Sequence, residues 1–211
     1  MKNDQKTYWD MVASTKEFTT PFAMDEFCRH VAKTDRILDV GCGYGRVVNT
    51  LFNAGFTNVC GVDYASKMID RGARCYPHLD LQTGSRPFAF KDNTFDAVLL
   101  VAVLTCMVDD KEQKAMIREI QRLLRPGGIL YVNDFLLNTD ARNLQRYQEF
   151  ESRYQTYGVF ELAEGAVLRH HHEAYLKELM SPFDSVAFVR CTYTTMNQHT
   201  ANGFYYLGRL K

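Results

Sequence analysis

The sequence shows no excess of charge of either sign. Its 211 residues include 25 lysines and arginines and 25 aspartates and glutamates, so the formal net charge is zero. Proteins that bind nucleic acids usually carry a basic excess or a basic stripe, because phosphate contacts supply much of their affinity. The densest basic segment, REIQRLLR at 118–125, has the spacing of the polar face of an amphipathic helix. The charge pattern therefore argues against a nucleic-acid substrate.

Long apolar runs and closely paired cysteines are also missing. No stretch approaches the roughly 18–20 uninterrupted apolar residues of a membrane-spanning helix, and the N-terminal MKNDQKTYWD has no apolar signal core. The six cysteines form no CxxC pair, and most lie in apolar runs, as buried thiols do. These features predict a reduced, cytoplasmic protein without a membrane span. They leave both a monomer and a homodimer open.

What the sequence does contain is an alternation of apolar runs and helical patterns. Strand candidates at 36–42, 58–64, 79–84, 95–104 and 129–135 alternate with helix candidates at 46–55, 66–76 and 109–124. The run FDAVLLVAVL is apolar throughout, which is typical of a strand buried on both faces of a parallel sheet. Strands and helices that alternate with short connections predict an open parallel α/β fold.

This alternation stops after the fifth strand candidate. Residues 136–180 are polar, rich in aromatic residues and helical in places, and we expect them to form a helical insertion over the end of the sheet. The segments at 183–195 and 203–210 are rich in β-branched and aromatic residues, which predicts a final pair of strands. No internal repeat or linker is visible, so we expect a single domain over 1–211, with residues 1–30 as an N-terminal helical cap.

The segment ILDVGCGYGR contains the most informative motif. Gly41, Gly43 and Gly45 follow the first predicted strand, at the sheet edge where open α/β proteins bind ligands. A dinucleotide fingerprint needs GxGxxG, but this segment reads GxGxG and has Arg46 where the third glycine would fall. Asp39 would repel a pyrophosphate and attract a cationic ligand. A tight turn without any ligand is the structural alternative.

A second acid, Asp63, ends the next predicted strand. A carboxylate in that place can accept hydrogen bonds from both hydroxyl groups of a ribose, whichever class of cofactor binds. An exposed acid at the strand end, or a cap of the next helix, is the alternative interpretation.

Four successive motifs resemble those of class I S-adenosylmethionine-dependent methyltransferases. They are ILDVGCGYGR, VDYASKMI, FAFKDNTFDAVLLVAVLTCM and LLRPGGILYVNDF, within residues 30–137. The four motifs are similar to those of the small-molecule group that includes the ubiquinone and menaquinone C-methyltransferases. The resemblance implies a Rossmann-like, open, mostly parallel seven-stranded sheet with helices on both faces, an antiparallel last strand and a helical insertion after the fifth strand. It implies S-adenosylmethionine as cofactor, S-adenosylhomocysteine as product, and an acceptor site formed in part by 136–180.

The resemblance also implies where the cofactor binds. Asp39 and the glycine loop would face its methionine half, Asp63 would hold the ribose hydroxyls, and Tyr64 and Met68 would flank the adenine. The family often has an acid near the end of the third strand for the adenine amino group. This sequence has Ser85 there, a weaker acceptor. The predicted cofactor-binding residues are Asp39, Gly41, Cys42, Gly43, Gly45, Arg46, Asp63, Tyr64, Met68, Gly84, Ser85, Val101, Ala102 and Val103.

Methyl transfer does not require a catalytic side chain. The cofactor carries the reactive group, and alignment of the acceptor can lower the barrier by roughly 7–11 kcal/mol. A general base is needed only if the acceptor must lose a proton. The candidates are Tyr8 in the N-terminal segment, Asp134 at the end of the fifth strand, and His171 in the cluster RHHHEAY. That cluster lacks partners at the spacing of metal ligands, so no metal site is predicted.

The sequence thus predicts an S-adenosylmethionine-dependent methyltransferase that acts on a small molecule by in-line displacement. If aromatic residues of the insertion line the acceptor site, they favour a flat or apolar acceptor. A protein or nucleic-acid acceptor and a non-catalytic S-adenosylmethionine-binding protein stay open as alternatives. Arg46 and Asp39 argue against a nicotinamide oxidoreductase. The Asn/Asp-Pro-Pro-aromatic tetrapeptide of amino-directed nucleic-acid enzymes does not follow the fourth strand, where VLTC stands instead.

Overall fold

The computed structural model describes residues 5–211. The helices are α1 (Gln5–Val12), α2 (Met24–Phe27), α3 (Arg46–Asn53), α4 (Ser66–Cys75), α5 (Asp110–Leu123), α6 (Ala141–Tyr154) and α7 (Glu173–Leu179). The strands are β1 (Ile37–Val40), β2 (Val59–Asp63), β3 (Asp80–Thr83), β4 (Phe95–Val101), β5 (Leu124–Phe135), β6 (Val159–Glu161), β7 (Val167–Arg169), β8 (Phe183–Thr194) and β9 (Thr200–Leu210). A short 3₁₀ turn, Leu104–Cys106, follows β4. No helix of the described range has the length and apolar character that a membrane crossing requires.

Seven of these strands form one sheet in the order β3-β2-β1-β4-β5-β9-β8. The first five are parallel, and β9 runs antiparallel between β5 and β8. The order reverses between β1 and β4, which places the carboxyl ends of β1, β2 and β4 side by side. The predicted Rossmann-like, mostly parallel sheet with an antiparallel last strand is confirmed.

The sheet is buried on both faces because successive strand residues point to opposite sides. Leu38 and Leu100 pack on one face with residues of α5 and α7, such as Ile117 and Leu176. Ile37, Leu99 and Tyr131 pack on the other face with residues of α2 and α3, among them Phe27, Val48 and Leu51. Two buried faces explain why β4 is an uninterrupted apolar run rather than an alternating one.

The insertion after β5 contains more than the predicted helices. Asp140 caps α6 by accepting a hydrogen bond from the Asn143 backbone N–H at 3.2 Å. Strands β6 and β7 then form a two-stranded antiparallel hairpin, and α7 follows. Strands of three residues carry too few alternating positions for a sequence pattern to show them. In the predicted N-terminal cap, α1 and α2 are the helices of the described part, and residues 1–4 lie outside the described residues.

Candidate functional site

A cavity lies at the carboxyl ends of the parallel strands, where the strand order reverses. Its wall includes these predicted residues: Tyr8, Asp39, Gly41, Cys42, Gly43, Arg46, Asp63, Tyr64, Met68, Val101, Ala102 and Val103. The insertion supplies the opposite wall with Arg142, Arg146, Phe160, Leu162, Ala166, Leu168 and His170. The turn between β8 and β9 adds Thr195, Met196, Asn197 and His199. Strand ends and insertion therefore enclose one common space.

Two glycines show how the motif shapes this space. Gly43 has a φ of +56°, and a Cβ atom there would overlap the ring of Phe18. Gly45 has a φ of +84° and begins α3 as its N-cap residue, and it lies outside the cavity wall. A Cβ atom on Gly45 would approach Cδ1 of Leu81 to 2.7 Å. Gly43 thus keeps bare backbone at the cavity, whereas Gly45 is explained by the helix start and by packing.

Asp39 is a buried acid with an unsatisfied oxygen. The residue is 2% exposed, and its Oδ1 atom has no hydrogen-bond partner among the described residues. Burial raises the pKa of Asp39 to about 8; nearby Asp63 adds to the rise, and the positive charge of Arg46 opposes it. The Arg46 guanidinium is itself held by the carbonyl oxygen of Thr20. A buried carboxylate with an open oxygen fits a cationic group of a ligand.

Asp63 holds the glycine loop and also faces the cavity. Its Oδ2 accepts a hydrogen bond from the Gly43 backbone N–H at 2.9 Å, and its Oδ1 accepts one from Ala65 N–H at 2.8 Å. Burial raises the pKa of Asp63, while these two N–H groups oppose the rise. Each carboxylate oxygen has a second lone pair, so the side chain still has capacity for two hydroxyl donors. The bond to Ala65 lies just before α4, whose N-cap residue is Ala65, so Asp63 is not the cap of that helix.

The N-terminal segment closes one side of the cavity. Tyr8 is 4% exposed and lies edge-on to Trp9, with a distance of 5.0 Å between ring centroids. Gln5 Nε2 donates to the carbonyl oxygen of Val167 at 2.7 Å, and Lys16 Nζ lies 2.7 Å from Glu164 Oε1. These contacts join α1 and the segment after it to the β6–β7 hairpin across the cavity.

Several predicted residues lie outside the cavity wall. Gly84 and the exposed Ser85 follow β3 at the edge of the sheet. Asp134 is completely buried and accepts hydrogen bonds from Thr105 N–H at 3.1 Å and Phe135 N–H at 2.8 Å. Burial raises the pKa of Asp134 to about 7. Its carboxyl group therefore ties the 3₁₀ turn after β4 to the end of β5.

His171 has structural partners at both ring nitrogens. Its Nε2 lies 2.8 Å from Gln113 Nε2, and its Nδ1 lies 3.3 Å from the carbonyl oxygen of Phe135. Burial lowers the pKa of His171 to about 3, so the ring is neutral. Within residues 5–211, no group of three or more His, Cys, Asp or Glu side chains is arranged to hold a metal ion.

The insertion contributes cavity residues that the sequence patterns did not identify. Arg142 and Arg146 of α6 face the cavity, and so does His170, the neighbour of the predicted His171. The spacing of four between the two arginines was a usable signal, because residues four apart share one face of a helix. No sequence signal distinguishes His170 from His171, since the tertiary contacts of each ring decide which one faces the cavity.

Comparison with known proteins agrees with this geometry. Residues 38–132 match a methyltransferase domain family. This match covers a little under half of the chain. A solved S-adenosylmethionine-dependent methyltransferase from Methanosarcina mazei has the same fold, with a TM-score of 0.83, 24% identity, and coverage of 90% of this chain and 98% of that one.

Curated proteins that are similar to this chain differ in the acceptors that their names give. A tRNA N(3)-cytidine methyltransferase of Bos taurus is 34% identical over 117 residues, which cover 48% of this chain and 30% of the relative. The 27-O-demethylrifamycin SV methyltransferase of Amycolatopsis mediterranei (strain S699) is 30% identical over 147 residues, which cover 65% of this chain and 53% of the relative. The matches thus span 30% and 53% of the length of these two relatives. The ubiquinone and menaquinone subgroup is not distinguished by these similarities.

Proposed function

We propose that this methyltransferase transfers a methyl group from S-adenosylmethionine to a small-molecule acceptor held under the insertion. The observation that supports the proposal is that the strand ends and the insertion line the same cavity. One wall has the acids and the bare backbone that suit a cationic nucleoside. The other wall, which includes Phe160, Leu162 and Leu168, is largely apolar and suits an organic molecule.

The strand-end residues fit the cofactor. Asp39 would hold the positive charge of the methionine half at its open oxygen, and Asp63 would hold the ribose hydroxyls. Tyr64 and the buried Met68 would flank the adenine. When bound, the cofactor supplies a methyl group on a sulfonium, ready for displacement.

The remaining task of the protein is to align the acceptor and to exclude water. The contacts of α1 with the β6–β7 hairpin close the cavity on the N-terminal side through Gln5 and Val167. Alignment within such a cavity can supply roughly 7–11 kcal/mol of the barrier reduction. Tyr8 is at the wall, and burial raises its pKa, so its hydroxyl stays protonated at neutral pH. It can position an acceptor by hydrogen bonding.

A tRNA acceptor is the second candidate, favoured by the 34% identity with the tRNA methyltransferase. Two observations favour a small molecule over it. The formal net charge is zero, whereas a tRNA-binding surface gains its affinity from basic residues. An ion pair also joins the segment after α1 to the β6–β7 hairpin beside the cavity, with Lys16 Nζ 2.7 Å from Glu164 Oε1.

The cofactor part of the proposal is tested by calorimetric titration with S-adenosylmethionine and S-adenosylhomocysteine, with NADH as a negative control. We expect micromolar binding of the first two ligands by the wild type and its loss in Asp63→Ala. The matched control is Asp70→Ala, an exposed acid of α4 whose loss should leave binding unchanged. Preference for NADH, or binding that survives Asp63→Ala, would contradict the assignment.

The acceptor part is tested with methyl-labelled S-adenosylmethionine. The purified protein is incubated separately with a dialysable metabolite extract and with bulk tRNA. We expect label to enter the dialysable fraction and not the tRNA. Incorporation into tRNA alone would refute the small-molecule proposal while leaving the methyltransferase chemistry intact.

A further inference from the structure

The end of the cavity under the insertion, where the methyl acceptor would bind, presents hydrogen-bond donors. The polar groups that α6 and the segment after β7 direct to this end are Arg142, Arg146 and His170. Arginine has donors and no acceptor, so the chemistry of this end depends on which nitrogen of His170 carries a proton.

The tautomer of His170 is determined by backbone groups. The Asn202 backbone N–H donates to Asn138 Oδ1 at 2.7 Å, so Asn138 Nδ2 must be the amide nitrogen. That nitrogen lies 2.9 Å from the carbonyl oxygen of Leu136, which can only accept, and 3.2 Å from His170 Nδ1. His170 Nδ1 therefore accepts a hydrogen bond and carries no proton.

The hydroxyl of Tyr147 supports the same assignment. Its oxygen accepts a hydrogen bond from the Asn138 backbone N–H at 3.3 Å and lies 2.6 Å from His170 Nδ1. The hydroxyl lies closer to Nδ1 than to its other acceptor, Asn143 Oδ1 at 3.4 Å, so the hydroxyl and Asn138 Nδ2–H share the one lone pair of Nδ1. Burial and the positive charge of Arg146 lower the pKa of His170 well below its ordinary value, so the ring is neutral. A neutral ring without a proton on Nδ1 has one on Nε2, which faces the cavity as a donor and not as a general base.

The two arginines bring positive charge to the same place, where Asp140 is an acid near enough to interact electrostatically with both. Arg142 and Arg146 lie one turn apart on α6, and within residues 5–211 no carboxylate forms an ion pair with either. The nearest acid in sequence, Asp140, is engaged by Asn143. The Nε atom of Arg146 is buried without a hydrogen-bond partner.

Aromatic rings surround these donors. The guanidinium carbon of Arg146 lies 3.3 Å from the ring centroid of Phe160. The ring of His170 stacks on Phe135, with 5.4 Å between centroids, and meets Phe160 edge-on at 4.9 Å. Such a wall favours a planar apolar body next to the donors.

We propose that the acceptor is a planar, largely apolar molecule that bears a carboxylate, and that Arg146, assisted by Arg142 and the Nε2–H of His170, binds that carboxylate. This assignment rests on the methyltransferase function proposed above. A guanidinium fork matches the two oxygens of a carboxylate and gives a charge-assisted pair. A carboxylate, with one negative charge, costs less to bring among these apolar walls than a doubly charged phosphate.

An RNA phosphate fits these residues less well than a small carboxylate. His170 is only 4% exposed, and it lies beneath Phe160 and beside Phe135. A polynucleotide backbone cannot reach a donor so deeply placed without opening the insertion. A small acid reaches it from the cavity itself.

The experiment measures binding to protein saturated with S-adenosylhomocysteine. The probes are cinnamate, indole-3-acetate and 2-naphthoate, each with its primary amide, together with phenyl phosphate and bulk tRNA. The proteins are the wild type, Arg146→Gln and Arg118→Gln, an exposed arginine of α5 that serves as the matched control. Affinity for S-adenosylhomocysteine is measured for each protein and reports on the cofactor site and the fold.

We expect at least one acid to bind the wild type about tenfold more tightly than its amide, the size of one charge-assisted contact. That preference should fall below about twofold in Arg146→Gln and persist in Arg118→Gln, with S-adenosylhomocysteine binding equal in all three. The carboxylate proposal is overturned if no acid binds better than its amide, if phenyl phosphate binds better than the acids, or if Arg146→Gln weakens tRNA binding instead. Failure of the wild type to bind S-adenosylhomocysteine would overturn the proposed function itself.

Discussion

We expect binding of the proposed cofactor to depend on pH through the open oxygen of Asp39. Because burial raises the pKa of Asp39 to about 8, the carboxyl group is mostly protonated at neutral pH in the absence of a ligand. A cationic cofactor group binds the ionised form, so binding must release a proton. Affinity therefore rises with pH below about 8 and levels off above it.

The size of the effect follows from the ionised fraction of Asp39. With a pKa of about 8, roughly 1% of the free protein is ionised at pH 6 and roughly 9% at pH 7. The affinity for S-adenosylmethionine should therefore increase about tenfold over this unit, equivalent to ~1.4 kcal/mol. The pH range of the affinity measurement should end near pH 7.5, because an α-amino group of the cofactor begins to titrate at roughly 7.7–8.0.

Calorimetry in buffers of different ionisation enthalpy measures both the affinity and the proton released. Asp39→Asn should bind S-adenosylmethionine without releasing a proton. The ratio of the wild-type affinity to the affinity of this variant should increase about tenfold between pH 6 and pH 7. Asp63→Asn is the control: it should lose affinity at every pH and keep most of the slope. A wild-type affinity that is constant from pH 6 to pH 7, with no proton released, would refute the role given to Asp39.

Three further predictions concern the loop and the buried polar groups. Gly43→Ala forces an L side chain to a φ of +56° against the Phe18 ring, so S-adenosylhomocysteine binding by calorimetry should weaken at least about tenfold, at a strain cost of ~1–3 kcal/mol. Gly127→Ala, also at positive φ but with no atom within 4 Å of its Cβ position, should leave binding unchanged; an equal loss in both variants would argue that strain alone, not the loop position, matters. Gln113→Leu removes an amide nitrogen whose two protons are shared among the carbonyl oxygens of Leu104 and Met107 and the imidazole of His171, and urea unfolding should show a loss of ~2–4 kcal/mol in the free energy of unfolding; a loss under ~0.5 kcal/mol would contradict that role. Tyr147→Phe removes the hydroxyl 2.6 Å from the buried imidazole and should lower the free energy of unfolding by ~1–2 kcal/mol while calorimetric S-adenosylhomocysteine binding is retained; loss of cofactor binding instead would show that the insertion is coupled to the glycine loop.

Local sequence patterns predicted most elements of the fold. The apolar run of β4 predicted a strand buried on both faces, and the spacing of α5 predicted an amphipathic helix. The final strand pair lies near its predicted bounds, with β9 beginning at Thr200 and not at 203. Strand β5 was predicted at 129–135 and begins earlier, at Leu124. These elements are readable because each one repeats its pattern over several residues. The β6–β7 hairpin is not readable in this way, since each of its strands has three residues.

The sequence by itself determined which chemical groups stand at the strand ends. The acids near the ends of β1 and β2 and the glycines after β1 lie at one edge because parallel strands share a direction, so the sequence alone predicted that Asp39, Gly43 and Asp63 lie together. Only the tertiary structure decided which side chains of the insertion face them. Residues 170 and 171 are adjacent histidines, yet one ring faces the cavity and the other is held by Gln113. The difference depends on contacts between elements far apart in the chain, which no local pattern encodes.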